Sequence, residues 1–196
     1  MRTRGNTRQK MLYSAVELLR ERGAAGLTVD AILERSGAPR GSVYHHFPGG
    51  RAEIVSEALT LAGDAISTMI ERSATLGAMD GVRNFAAFWT QILVESDFEA
   101  GCPVVSLAVG GAPDDKEFQP AITGIFARWH RALTTAMVND GIDEARSIRL
   151  STMVIAAVEG AVILCRTHRS AAPIDEVIAE LEVLITTAAP TSAQGE

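Results

Sequence analysis

The sequence predicts an all-α protein of about nine helices, and three observations carry that expectation. Apolar residues recur at i, i+3, i+4 and i+7 along almost every segment, the spacing that gathers side chains on one face of a helix. Gly, Pro and Asp cluster at regular breaks between those segments. The periodicity is helical rather than the alternation that marks half-buried strands. With 47% apolar and 21% charged residues, the 196-residue chain can bury a core, and neither an internal repeat nor a low-complexity tract interrupts it.

The first helix is expected from Thr7 to Arg22, with Asn6 and Gln9 as a capping box and Leu12, Val16 and Leu19 on one face; Gly23 to Leu27 breaks it. Thr28 is placed to cap a second helix that ends near Arg35, and Ser36-Gly37-Ala38 makes a tight turn. Pro39 opens a third helix of about two turns, because the first helical position needs no N–H, and Pro48-Gly49-Gly50 closes it. A fourth helix, Arg51 to Ser73, is long enough to serve as a connector. Asp80 is expected to cap a fifth, which carries Val82, Phe85, Phe88, Trp89 and Ile92 at core spacings. Pro103 opens a short sixth, and Gly110 to Pro113 breaks the chain again. The seventh runs from Asp114 to Asn139, beginning late or kinking at Pro120. The eighth spans Asp143 to Thr167 and the ninth Pro173 to Ala188, where Ile174, Val177, Ile178, Leu181, Leu184 and Ile185 share a face; residues 190–196 read as a disordered tail.

Charge divides the chain. Its net charge of -6 argues against a nucleic-acid partner only when taken whole, since residues 1–51 hold nine Lys or Arg against four acids, a net +5, and the remainder carries -11. A basic end on an acidic body is what a DNA-binding head requires. The two cysteines, Cys102 and Cys165, form no metal-ligand spacing and suggest no disulfide framework, so a reducing cytoplasm fits. The N-terminus has no apolar run of the signal-peptide kind. Leu150 to Cys165, the most apolar stretch, includes Glu159 and is shorter than the ~20 residues a bilayer span needs, so it reads as a buried helix and no membrane partner is expected.

Thr28 to Phe47 has the shape of a helix-turn-helix, whose second helix enters the major groove. Val29, Ile32, Leu33, Val43 and Phe47 are expected to face inward against the first helix, leaving Arg40, Ser42, Tyr44, His45 and His46 as outward donors. Neighbouring histidines on a helix point about 100° apart, so His45 and His46 do not suggest a metal, and no cofactor is implied. The run from Leu27 to Phe47, ending Tyr44-His45-His46-Phe47, resembles the signature of TetR-family repressors. The likeness covers residues 7–60, and Gly101-Cys102-Pro103-Val104 is similar to a segment of the LmrA/YxaF-like subgroup. The resemblance implies a DNA-binding domain over residues 1–50, extending to about 60, and a ligand-binding and dimerisation domain over 51–189. By position it implies that Thr28, Tyr44 and His45 meet phosphates, that Arg40, Gly41 and Ser42 face base edges or sugars, that Pro39 and His46 belong to the same DNA-facing turn and helix, and that Arg51 stands where the family often places a lysine at the start of the fourth helix, within reach of a phosphate. The chemistry agrees: arginine bonds guanine bidentately, hydroxyls and imidazole suit phosphate oxygens, and glycine lets the backbone approach.

One recognition helix reads few base pairs, so a palindromic operator and a homodimer are expected. Ile155, Ala156, Glu159, Gly160 and Ile163 of the eighth helix and Val177, Leu181 and Leu184 of the ninth resemble the family's four-helix dimer interface. A cavity for an apolar or aromatic effector is expected among Met69, Phe85, Phe88, Trp89, Ile92, Cys102, Phe126, Trp129 and Met153, with Gln91, Glu95, His130 or Glu159 as polar contacts. The function implied is a transcriptional repressor released from DNA by a small molecule. The alternatives are a redox-responsive regulator working through Cys102 and Cys165 and, on weaker grounds, an enzyme using the cavity; no catalytic constellation supports the latter.

Overall fold

Thr28 shows how local chemistry sets the first elements. It stays extended at φ -106° and its Oγ1 accepts the Ala31 N–H at 3.1 Å, satisfying one of the donors a helix start leaves open. At the other end of the helix Gly37 takes φ 65°, a left-handed conformation that glycine enters without a Cβ clash. The computed structural model describes residues 4–110 and 113–189, and among them it contains nine α-helices and no strand. These are α1 Arg4–Gly26, α2 Val29–Ser36, α3 Val43–His46, α4 Gly50–Ala74, α5 Ala78–Glu95, α6 Pro103–Gly110, α7 Gln119–Asn139, α8 Glu144–His168 and α9 Ala172–Thr186. Short 3₁₀ turns occupy Arg40–Ser42 and Pro113–Phe118. The tail expected to be disordered lies outside the described residues.

The chain divides into two compact units: Met1–Ala65 with Glu99–Ile125, and Ile66–Phe98 with Phe126–Glu196. In the first, α1 packs against both α2 and α6. Met11, Ala15, Leu18 and Leu19 supply its buried face, and Leu27, Ile32, Val43, Phe47, Ile54 and Val55 complete the core around them. Val16 and Leu19 are buried as expected, while Leu12 is only half-buried and its neighbour Met11 is fully enclosed. The helix also starts at Arg4, which places Asn6 inside it rather than at a cap. Gly23, at φ 69°, breaks the helical run where the sequence indicated. The expected third helix is a composite: a 3₁₀ turn from Arg40 leads into one α-turn that ends at His46.

In the second unit α8 packs on α9, and both pack on α5. Val82, Phe85, Trp89 and Leu93 of α5, Leu150, Val154, Val158, Ala161, Val162 and Cys165 of α8 and Ile174, Leu181 and Ile185 of α9 are all buried there. Each large aliphatic or aromatic side chain removed from water contributes about 1.5–3 kcal/mol, so burial of this face fixes α8 far more firmly than helix propensity does. Although α8 is long and apolar enough by composition to cross a membrane, with mean hydropathy 1.9, its buried stripe accounts for much of that apolarity. Asp143 caps α8 as expected, accepting the Arg146 N–H at 3.0 Å. Asp80, by contrast, sits within the first turn of α5, and the carboxylate that accepts the Ala78 N–H, at 2.7 Å, is Asp140 from the end of α7. Pro120 occupies the opening turn of α7, where proline is tolerated, so that helix begins late and is preceded by the 3₁₀ turn.

Candidate nucleic-acid interface and effector site

α2, the glycine turn and the composite third helix place a row of donors on one surface. Val43 and Phe47 are fully buried, and they anchor the short helix so that the residues between them face outward. Thr28, Pro39, Arg40, Gly41, Tyr44 and His45 are exposed, while Ser42 and His46 are half-buried. Tyr44 is 68% exposed, so its ring is not a cover for the head core. Arg40 makes no internal hydrogen bond or ion pair among the described residues, which leaves its whole guanidinium fork available. Ser42 donates its hydroxyl to the Pro39 carbonyl at 2.5 Å, fixing the turn and leaving its oxygen lone pairs outward. The Thr28 oxygen accepts the cap bond, so its O–H remains free to donate. A Cβ built on Gly41 would meet nothing within 4 Å, which means that this glycine is not required by the protein's own packing.

Three further basic residues, Arg8, Arg35 and Arg51, are engaged within the unit. Arg8 lies 4.6 Å over the Phe47 ring and donates to both oxygens of Glu57, at 2.5 and 2.7 Å. Arg35 pairs with Glu21, joining α2 to α1. Arg51 departs from its expected phosphate role, because its guanidinium is directed at Ala24, Leu27 and Asp115 inside the unit. Arg2 lies outside the described residues.

The expected effector residues separate into distinct environments. Phe85, Trp89 and Trp129 are fully enclosed; the Phe85 ring centre lies 6.2 Å from that of Trp89 and 6.4 Å from that of Trp129. Phe88 stands edge-on to Trp89 at 5.3 Å, and Phe126 to Trp129 at 5.0 Å. Trp129 donates its indole N–H to the buried Ser67 hydroxyl at 2.9 Å, whereas the equally buried Trp89 N–H meets no acceptor. Met69 and Ile92 are half-buried within the same unit. Cys102 belongs to the other unit, on the turn before α6, where the neighbouring Gly101 N–H bonds the Arg20 carbonyl at 2.8 Å. Met153 is 50% exposed on α8, not enclosed with the aromatics, because the inner stripe of that helix runs through Leu150, Val154, Val158 and Ala161 instead.

The polar contacts also divide. Gln91 and Glu95 lie on the exposed face of α5 and bond each other at 2.8 Å. His130 meets the Ile148 carbonyl at 3.1 Å, which requires a proton on its Nε2, and Glu159 is buried on α8. An open groove of about 690 Å³ runs between α5 and α9, lined by Ala86, Thr90, Gln91, Val94, Ile174 and Ile178 among others. A smaller one of about 390 Å³ is flanked by Glu71, Arg128 and Arg131; hydrogen bonds from Arg128 hold the Glu71 carboxyl below its usual range. Neither is lined by an aromatic residue.

On α8 the residues Met153, Ala156, Gly160 and Ile163 follow a three-four-three spacing and face outward, with Met153, Ala156 and Ile163 exposed. Adjacent Leu164 and, on α9, Val183 extend this apolar surface, although neither was among the expected interface residues. Ile155, Val177 and Leu184 are half-buried at its margin. Glu159 and Leu181 turn inward: both are buried within the unit, which removes them from the outer surface. Both cysteines are buried and neither forms a disulfide, and burial pushes the Cys165 thiol above its ordinary value, disfavouring the reactive thiolate.

Comparison with known proteins agrees with this geometry. Residues 12–58 match the family described as bacterial regulatory proteins of the tetR family, and residues 78–180 match the C-terminal domain of LmrA/YxaF-like transcriptional regulators. An uncharacterised helix-turn-helix-type transcriptional regulator of Mycobacterium tuberculosis is 36% identical over 183 residues, covering 91% of this chain and 93% of its own length. A TetR regulatory protein from Rhodobacter sphaeroides has the same fold, with a TM-score of 0.79 at 20% identity, covering 91% of this chain and 98% of that one. The TetR-family regulator CifR, in a cysteine-substituted form solved on a 26-base-pair operator duplex, superposes with a TM-score of 0.74 at 19% identity, covering 93% and 96% of the two chains.

Proposed function

The chain belongs to the TetR family of bacterial transcriptional regulators, with an LmrA/YxaF-like C-terminal domain, and from that premise we propose that it is a homodimeric repressor released from a palindromic operator by a small apolar or aromatic molecule. The observation that supports it best is the row Arg40, Gly41, Tyr44 and His45, exposed on the turn and second helix of a helix-turn-helix, with Arg40 in no internal hydrogen bond or ion pair among the described residues. Such a surface reads base edges through Arg40 and meets phosphates through Tyr44 and His45. A chain of this kind acts in the cytoplasm, where its operator lies. Arg40→Ala is expected to weaken operator binding by about 1–3 kcal/mol and relax base preference, while Tyr44→Phe weakens all sequences alike. Gly41→Ala, which the protein accommodates, lowers affinity through the DNA alone. Anisotropy titrations on operator and random duplexes check this. Equal losses on both duplexes for Arg40→Ala and Tyr44→Phe would remove the base-reading role.

For the effector, the aromatic cluster of the second unit supports an apolar ligand that carries a hydrogen-bond acceptor. A buried N–H without a partner leaves about 1–3 kcal/mol of desolvation uncompensated, and an acceptor presented to Trp89 recovers it. Binding there favours a conformation whose heads no longer match one face of the duplex; a hundredfold loss of occupancy needs a differential affinity of roughly 2.7 kcal/mol. Trp89→Phe keeps the apolar ring and removes the donor. It is expected to leave operator binding intact and raise the half-release concentration of a screened effector about tenfold. An unchanged half-release concentration would assign recognition to other groups. The redox alternative lacks support from two buried thiols, one of them held protonated.

A further inference from the structure

A cation at the start of α4 is well placed to meet a phosphate, yet the donors of Arg51 are all directed inward. Its Nε donates to the Leu27 carbonyl at 2.9 Å and its Nη2 to the Ala24 carbonyl at 3.0 Å. Nη1 donates to one oxygen of the Asp115 carboxylate at 2.8 Å, and the same Nη2 lies 3.5 Å from the other. The Ala24 carbonyl lies in the end of α1 that follows the break at Gly23, and the Leu27 carbonyl immediately before the Thr28 cap. Asp115 belongs to the 3₁₀ turn that leads into α7, and its side chain is 3% exposed. A single guanidinium thus joins three chain segments, all within one compact unit.

The chemistry explains why arginine serves here. A planar fork can meet a carboxylate along one edge and two carbonyls along the other, which the point charge of lysine cannot reproduce. Detaching Arg51 to reach a phosphate would take from a buried carboxylate the cation that faces it at 2.8 Å, a larger cost than one exposed phosphate contact returns. The same region is reinforced from α6, whose buried Val104 and Leu107 pack where Gly101 bonds the Arg20 carbonyl.

We infer that Arg51 and Asp115 form a clamp that positions the helix-turn-helix for operator reading. The turn Pro113–Phe118, more than sixty residues away in sequence, thereby becomes a working part of the DNA-reading unit. Arg51 is on this view a positioning residue and not a phosphate contact. The inference rests on the DNA-binding reading and is independent of the effector.

Its test uses the full chain, a duplex selected by the wild-type protein from a randomised pool, and a random-sequence duplex of equal length. Asp115→Asn and Arg51→Met are each expected to lose about tenfold or more in affinity for the selected duplex while binding to the random duplex stays unchanged. The double variant loses no more than either single one, and the salt dependence keeps its wild-type slope. Arg51→Lys fails as Arg51→Met does. The clamp is refuted if Asp115→Asn binds the selected duplex as wild type does. It is equally refuted if Arg51→Met loses affinity on both duplexes with the slope falling by about one, or if Arg51→Lys restores binding. Should Asp115→Asn melt near the assay temperature, Arg51→Lys, which keeps the charge, decides between the same two outcomes. Failure of the wild-type chain to select any duplex would overturn the DNA-binding reading and the clamp together.

Discussion

Trp129→Ala is expected to destabilise the second unit by about 3–5 kcal/mol, the range for truncating a fully enclosed aromatic side chain. Trp129 has no solvent exposure, and its ring bridges Phe126 and Phe85. Its removal opens a space that neighbours on α4, α5 and α7 cannot fill without moving their own backbones. It also leaves the buried Ser67 hydroxyl without the donor that reached it at 2.9 Å, adding the cost of an unsatisfied polar group. Trp129→Phe separates the contributions, since it keeps much of the ring volume and deletes the hydrogen bond; a loss of about 1–2 kcal/mol is expected. Thermal unfolding followed by circular dichroism, at fixed protein concentration, should show the alanine variant melting roughly 6–20 °C lower. A change under about 2 °C would mean that the cluster is loosely packed and that Trp129 is not an anchor of the core.

How much of this was legible in the sequence depends on whether the decisive partner lies nearby in the chain. Thr28 and Asp143 were readable as caps because each serves an amide three residues ahead, and Pro103 as a helix opener because its missing N–H is a local property. The cap of α5 was not readable: the acceptor is Asp140, sixty-two residues from the amide it meets, and the nearer Asp80 offered a false local candidate. The exposure of Tyr44 and His45 is legible for the same reason as the caps, since it follows from the inward positions of Val43 and Phe47 over one short turn. Arg51 fails that test. Its position suggested a phosphate, while its partners at residues 24, 27 and 115 are set by tertiary packing. On α8 apolar residues occupy nearly the whole circumference, so periodicity could not say which side faces the core. Met153, expected among the aromatics, stands half exposed on that helix, and Glu159, expected at its outer surface, is buried.

That outward stripe carries the other large effect. Met153 and Ile163 are half exposed, Ala156 lies exposed between them, and a Cβ on Gly160 would meet nothing within 4 Å. A helix with this outer face can approach a twofold-related copy closely, large side chains of one entering the spaces above small residues of the other. Ile163→Glu places a carboxylate on that face, and in a twofold dimer paired through it, as proposed, symmetry would bring the two charges together. Because Ile163 is 54% exposed in the single chain, the fold itself should tolerate the change, and the melting of the isolated protomer serves as the control. At micromolar concentration the variant is expected to sediment as a monomer. Its operator affinity should then fall by about a hundredfold or more, since one head reads too few base pairs and the second half-site, about 34 Å away, is no longer engaged by the same molecule. Binding to random duplex, carried by the charge of each head, should change much less. A variant that remains dimeric and holds its operator would show that protomers associate through a different surface, and would leave the exposed stripe of α8 to some other partner.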